Sequence, residues 1–389
     1  MRNVKHLSLV ILFFLGNSPI LLSAENEQAK TDSAKVVNKT RSKAPTKTKQ
    51  TKPKIVKVDK EKLAKRAELI RKKNISILKK KVAKTPSKEL KQKLALYLMK
   101  DQQYKDAIEI YRDLLDPNDL KSYLNLAEAY RGNKAWLDEI RVLNQVIPKW
   151  PNYANLYFLQ ANAFKEIDKL DDATIKYRKT LSLQPKFEDA YWGLYEIFKL
   201  KKNNYEGRII LQDMIRIFGE KAEYYTELCQ NYTEDSYFEE ALAACQVAVR
   251  LSPKIAKNHV YLGLTQQYKG NNVQAEKILS YAARQFPGSS FAQESAGKVM
   301  QEKENYEVAA KFYRQCIRTD KSKVNCWKGY AQTNFQLGKY KESLKAYKIV
   351  CEKDRTVLTE FKKQAAILRI NGKSDWYDKY TEAVTSCYY

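Results

Sequence analysis

The chain has 389 residues, with 71 Lys and Arg against 45 Asp and Glu and a net charge of +26. It carries two histidines, His6 and His259, too few for the clustered imidazoles of a typical catalytic zinc site. Beyond the first 24 residues no apolar run approaches the roughly 20 residues that a membrane-spanning helix needs.

Residues 1–24 read as an export signal. Arg2 and Lys5 give a charged start, Leu7 to Leu15 an apolar run, and Leu22-Ser23-Ala24 small residues for cleavage. The run stops at Gly16, Asn17, Ser18 and Pro19, too short for a retained anchor. No Cys stands at the cleavage point, so bacterial lipid attachment is not expected. The expected mature chain is soluble, exported and most simply periplasmic, with secretion or surface association as alternatives.

Residues 25–60 are rich in Lys, Thr and Ser, with Pro45 and Pro53, and read as a disordered linker. From Glu25 to Pro86 there are 21 Lys and Arg against 6 Asp and Glu, a charge of +15 out of the chain's +26. Two readings stay open. The arm is attracted to an anionic surface of lipid, lipopolysaccharide or cell-wall polymer, or it is a self-repelling spacer. Nucleic acid is not the expected partner of an exported chain. Residues 61–87 form a basic lead, in which Leu63, Ala67, Ile70, Ile77 and Leu78 predict an amphipathic helix.

From residue 88 the sequence repeats. Ala127, Ala161, Cys229, Gly263, Gly297 and Ala331 lie on one 34-residue grid, broken only by Tyr195. A second set of small residues keeps the same step from Ala173 through Gly207, Ala241, Ala275, Ala309 and Ser343, with Ala107 ahead of them across the shorter first step of 32. Each unit therefore brings two helices too close for large side chains. Within a unit, Tyr157, Ala161 and Phe164, then Ala173, Tyr177 and Thr180, keep the three-and-four spacing of one helix face. Turns fall at Gly132-Asn133, Asn203-Asn204, Gly270-Asn271-Asn272 and Gly338, and Pro185, Pro253 and Pro287 end second helices.

These residues resemble the tetratricopeptide-repeat (TPR) family. Position 4 of the unit carries Tyr123, Tyr157, Tyr191, Tyr225 and Trp327; positions 7–8 carry Leu126-Ala127 and Leu262-Gly263. Eight copies span 88–355, starting near 88, 120, 154, 188, 222, 256, 290 and 324. The resemblance implies an all-α solenoid, a right-handed superhelix whose first helices (A) line a concave groove. Residues 356–389 form a capping helix pair with a polar outer side. Three departures stand out. Glu139 occupies a small-residue site, which predicts that its two helices splay or shift. Tyr195 sits opposite Gly207 as a size exchange. His259 falls at a packing position, which makes it a packing residue and not a catalyst.

The chain offers no Gly-rich phosphate loop and no His cluster, so it is read as a binding scaffold and not an enzyme, without cofactor or metal. Six cysteines, an even number in an exported chain, favour disulfides, although Cys229, Cys245 and Cys316 also suit a small-residue core role. Copy geometry implied by the family pairs Cys229 with Cys245, Cys316 with Cys326, and Cys351 with Cys387. Family positions 2, 5, 9 and 12 of helix A face the groove. They give Arg131, Phe158, Asn162, Lys165, Trp192, Glu196, Lys199, Gln230, Lys298, Lys328 and Gln332 as partner-binding candidates. Phe158 and Trp192, flanked by Lys165 and Lys199, would form an aromatic platform for a peptide, or Trp192 packs between repeats. Gln92 and Leu96 stand where the family's carboxylate clamp needs Lys and Asn. The resulting expectation is an exported scaffold that binds another envelope protein or peptide segment in its groove. The alternative is a structural component whose basic arm, 25–84, binds an anionic surface.

Overall fold

Helix after helix is joined by tight turns, as the spacing requires. The computed structural model describes residues 60–387. The export signal and nearly all of the linker lie outside the described residues, as do Tyr388 and Tyr389. The chain divides into units 1–63 and 64–389.

A long helix, α1 (Lys60–Lys84), comes first. Pairs of A and B helices follow: α2 (Lys88–Lys100) with α3 (Tyr104–Asp113), α4 (Leu120–Gly132) with α5 (Trp136–Val146), and α6 (Ala154–Glu166) with α7 (Leu170–Leu183). Next come α8 (Glu188–Leu200) with α9 (Asn204–Phe218), α10 (Ala222–Glu234) with α11 (Phe238–Leu251), and α12 (Ala256–Tyr268) with α13 (Asn272–Gln285). The last are α14 (Ser290–Glu302) with α15 (Tyr306–Thr319), α16 (Val324–Gln336) with α17 (Tyr340–Lys353), and α18 (Leu358–Ile370) with α19 (Ser374–Ser386). Among the described residues there is no strand. The second unit is an α-solenoid.

The turn inside every pair has one construction. Its left-handed residue is Gln102, Lys134, Asp168, Lys202, Ser236, Gly270, Glu304, Gly338 or Gly372, each with φ between 55° and 91°. After the first step of 32, these positions keep the 34-residue interval through the terminal pair. The preceding A helix ends with a reverse turn that donates back to its last carbonyls, as Asn203 N does to Phe198 O at 2.9 Å. Pro185, Pro253 and Pro287 follow two residues after α7, α11 and α13, where a missing N–H ends the helix.

Both sets of small residues lie at helix crossings. Ala127, Ala161, Cys229 and Ala331 from the first set, and Ala107, Ala173, Ala241, Ala275, Ala309 and Ser343 from the second, are 0% exposed. The space they leave is filled by bulky side chains from the B helices. A Cβ at Gly297 would lie 2.9 Å from the Tyr313 ring, and one at Gly263 would lie 2.6 Å from Leu279. Tyr313 also fills the place of a Cβ at Gly329 in the next copy, so one ring locks two neighbouring units.

The departures resolve individually. Tyr195 lies against Gly207, 3.4 Å from where a Cβ there would stand, so the exchange of sizes is real. Glu139 is fully buried and its carboxylate accepts from Arg131 Nε at 3.0 Å and from the same guanidinium's Nη2. Arg131 thus supplies the countercharge for the carboxylate at the α4–α5 crossing. His259 is buried between the rings of Tyr281 and Phe286, and its Nε2 donates to the Pro253 carbonyl at 2.8 Å.

Candidate partner-binding face

Consecutive A helices touch one another along much of the solenoid, as α10 with α12, α12 with α14 and α14 with α16 do, whereas among the B helices α17 and α19 approach closely. The A helices therefore form the inner side. Hydrogen bonds about one repeat apart cross this face. Lys165 donates to Glu196 at 2.5 Å, Tyr261 to Gln230 at 2.8 Å and Gln301 to Gln332 at 3.1 Å, each 31 residues apart. Candidate residues from the repeat's inner positions thus meet each other before they meet any partner.

Glu227 is the densest junction. It accepts from the Tyr195 hydroxyl at 2.9 Å, from Lys199 at 2.7 Å and from Lys257 at 2.7 Å, tying α8, α10 and α12 together. Burial alone would raise its carboxyl, but Lys257 and Lys199 outweigh that and hold it at about 2. The Tyr195 hydroxyl is pushed up by burial and by the Glu227 charge beside it.

In the first half of the solenoid the candidates are committed to internal contacts. Arg131 neutralises Glu139. Asn162 accepts from the Tyr177 hydroxyl at 2.5 Å. Phe158 packs on Phe187 at 4.7 Å and Tyr177 at 5.9 Å between ring centroids. Trp192 packs on Tyr195 at 5.8 Å and Tyr224 at 5.7 Å. The two rings thus rest on different neighbours and no ring contact joins them among the described residues. Trp192 of α8 packs on Tyr224 of α10 and so spans two repeats. Lys199 lies over the Tyr195 ring, 5.7 Å from its centroid, besides its bond to Glu227. Gln230 donates to Glu234 at 2.8 Å.

Between α14, α16 and α18 lies a hollow of about 580 Å³. Lys298, Lys328 and Gln332 line it, together with Gln301, Asn325 and Gln364. Three carboxylates, Glu294, Glu302 and Glu360, also border it. Asn325 donates to Glu294 at 3.1 Å, and Tyr313 donates from below to Gln301 at 2.9 Å. Gln364 is 4% exposed; its amide donates to Glu360 at 2.9 Å, while its Oε1 is buried without a donor among the described residues. Paired lysines beside carboxamides, each able to donate and accept, suit the alternating groups of an extended polypeptide. Gln301 and Asn325 fall on inner positions 12 and 2 of their copies and were legible from the repeat. Gln364 was not, because it belongs to the terminal pair, outside the eight copies.

The cysteines are joined in the C-terminal half. Cys229 bonds Cys245 within one pair, with Cα atoms 5.0 Å apart. Cys316 bonds Cys326 between copies at 6.1 Å, and Cys351 bonds Cys387 at 5.9 Å, tying α17 to the end of α19. Among the described residues no group of three His, Cys, Asp or Glu is placed to hold a metal, and no helix is long and apolar enough to cross a membrane.

Comparison with known proteins follows the same lines. A tetratricopeptide-repeat family model matches residues 93–154. A search of curated proteins gives no match. Among solved structures, the chain is similar to YrrB, described as a TPR protein with an unusual peptide-binding site, at 22% identity over 47% of this chain and 95% of that one, TM-score 0.37. It is similar to MamA of Desulfovibrio magneticus RS-1 at 20% identity over 42% and 93%, TM-score 0.39. Yeast Tom70 is similar at 17% identity over 70% of this chain and 60% of that one, TM-score 0.48. The matched segment covers α3, α4 and α5 with the end of α2 before them, and the same A–B helix pairing continues at its 34-residue step to α19. Residues 93–154 match the tetratricopeptide-repeat family, and the helix pairs of the second unit continue that repeat as an α-solenoid.

Proposed function

We propose that this protein is exported to the bacterial cell envelope and there holds an extended segment of another envelope protein against its A-helix face. The observation that carries this reading is the hollow between α14, α16 and α18. There Lys298, Lys328 and Gln332 border open space, with Lys298 4.0 Å from Glu302 and Gln332 accepting from Gln301. Export is supported by the Arg2-to-Ala24 pattern and by an even set of paired cysteines. The test places a photo-crosslinking residue at Gln332 in the native host. The expected product is a discrete polypeptide adduct, at least halved in yield by Lys298→Ala with Lys328→Ala, with an unchanged helical melting curve. Full adduct yield from that variant would overturn the assignment.

A second reading assigns the basic segment 25–84 to an anionic surface. Its support is α1, where eleven Lys and Arg face two Glu, a net charge of +9 over 25 residues.

A further inference from the structure

The helix α1 has two sides with different fates. On one side Ile75 and Leu78 are buried and Val82 packs with them on the first repeats. On that side Arg71 bonds Asp101 at 2.9 Å and Lys79 bonds Asp106 at 2.7 Å. Another side carries Ile70 and Ile77, seven residues apart, at 51% and 42% exposure. Arg66, Lys73, Lys80 and Lys84 interleave with them at spacings of three and four, which places all six on one helical stripe. None of these four cations has a carboxylate within 4 Å among the described residues. Leu69, 71% exposed, flanks the stripe.

Single exposed apolar side chains are ordinary, but Leu69, Ile70 and Ile77 grouped on one helical face mark a contact surface, and four neighbouring like charges repel another copy of the same helix. A polysaccharide or nucleic acid would satisfy the cations but leave Ile70 and Ile77 in water. An anionic bilayer satisfies both, since its phosphates meet the cations while the isoleucines enter the acyl boundary. We propose that the exposed stripe of α1 docks on an anionic phospholipid bilayer, lying in the headgroup plane. This sharpens the surface-binding reading and rests on it.

The test uses the full chain and vesicles of phosphatidylglycerol with phosphatidylcholine, beside vesicles of phosphatidylcholine alone. The key variant is Ile70→Ser with Ile77→Ser, which leaves every charge of the chain in place. Both sites are exposed, so the helical circular dichroism is expected to stay as in the parent. Expected is binding to the anionic vesicles only, weakened about tenfold or more by the double Ser variant, because two buried isoleucines are lost. Lys73→Gln with Lys80→Gln weakens it further at low salt. Parent binding to anionic vesicles that the Ser variant fully retains marks a purely electrostatic surface and overturns bilayer docking alone. A parent chain that binds neither vesicle overturns the surface reading with it.

Discussion

At the residue scale the most instructive pair is Glu139 with Arg131. Burial drives the Glu139 carboxyl above its ordinary value, and the Arg131 charge and hydrogen bonds oppose that rise. Without the arginine a carboxylate would stand unpaired in the helix crossing. Arg131→Met is therefore expected to cost about 2 kcal/mol at neutral pH. That is less than the roughly 3–5 kcal/mol of a wholly buried pair, because a third of the Arg131 side chain meets water. A raised folded pKa supports the fold below the unfolded value, near about 4.3 for Glu, and withdraws that support as pH climbs through the folded value. The loss in Arg131→Met should therefore shrink toward acid. Adding Glu139→Ala restores the small residue of the comb and should recover the stability at neutral pH. Urea unfolding at neutral pH and near about pH 4 decides it. An equal loss at both pH values would show that Arg131 acts by packing and not by charge.

At the element scale the turn between A and B helices sets the repeat. The left-handed position is glycine in only three of the nine pairs, at Gly270, Gly338 and Gly372. Elsewhere a side chain is held where L-residues are disfavoured by about 1–2 kcal/mol. Glu304, with φ of 59°, is one such residue on an exposed turn. Glu304→Gly should stabilise the chain by about 0.5–1 kcal/mol, the relief of strain less the extra entropy that glycine loses. Gly338→Glu should cost a similar amount. Thermal melts of the two variants should move in opposite directions, and a Glu304→Gly melt at or below the parent's would refute the turn argument. The glycines visible in the sequence marked only some of these turns. Lys134, Lys202 and Ser236 gave no sign of left-handed backbone, since their conformation is imposed by helices packing on either side.

At the scale of the whole solenoid, stability is a sum over units and their interfaces, so a local constraint acts locally. All three disulfides lie between residues 229 and 387. The last, Cys351–Cys387, closes 36 residues and holds α19 to α17. Cys351→Ala with Cys387→Ala should cost about 3–4 kcal/mol in the terminal pair by the loop-entropy estimate. Hydrogen exchange should then show lost protection over Ser374–Ser386 while α4 to α7 keep theirs. Uniform loss along the chain would mean that the solenoid unfolds as one block. What the sequence alone determined was the unit: the 34-residue step, two helices per copy, and small residues at each crossing. Those features follow from local periodicity and from side-chain volume, which a chain carries wherever it folds. What only the tertiary structure decided was which polar groups meet. Tyr195 broke the comb because its hydroxyl reaches Glu227, 32 residues away, and Arg131 left the inner face to neutralise Glu139. The hollow at Lys298, Lys328 and Gln332 emerged likewise, from two copies and the terminal pair stacked side by side. Such pairings depend on distances between copies, and periodicity, which repeats the same position in every copy, does not distinguish a side chain bound by its neighbour from one left open.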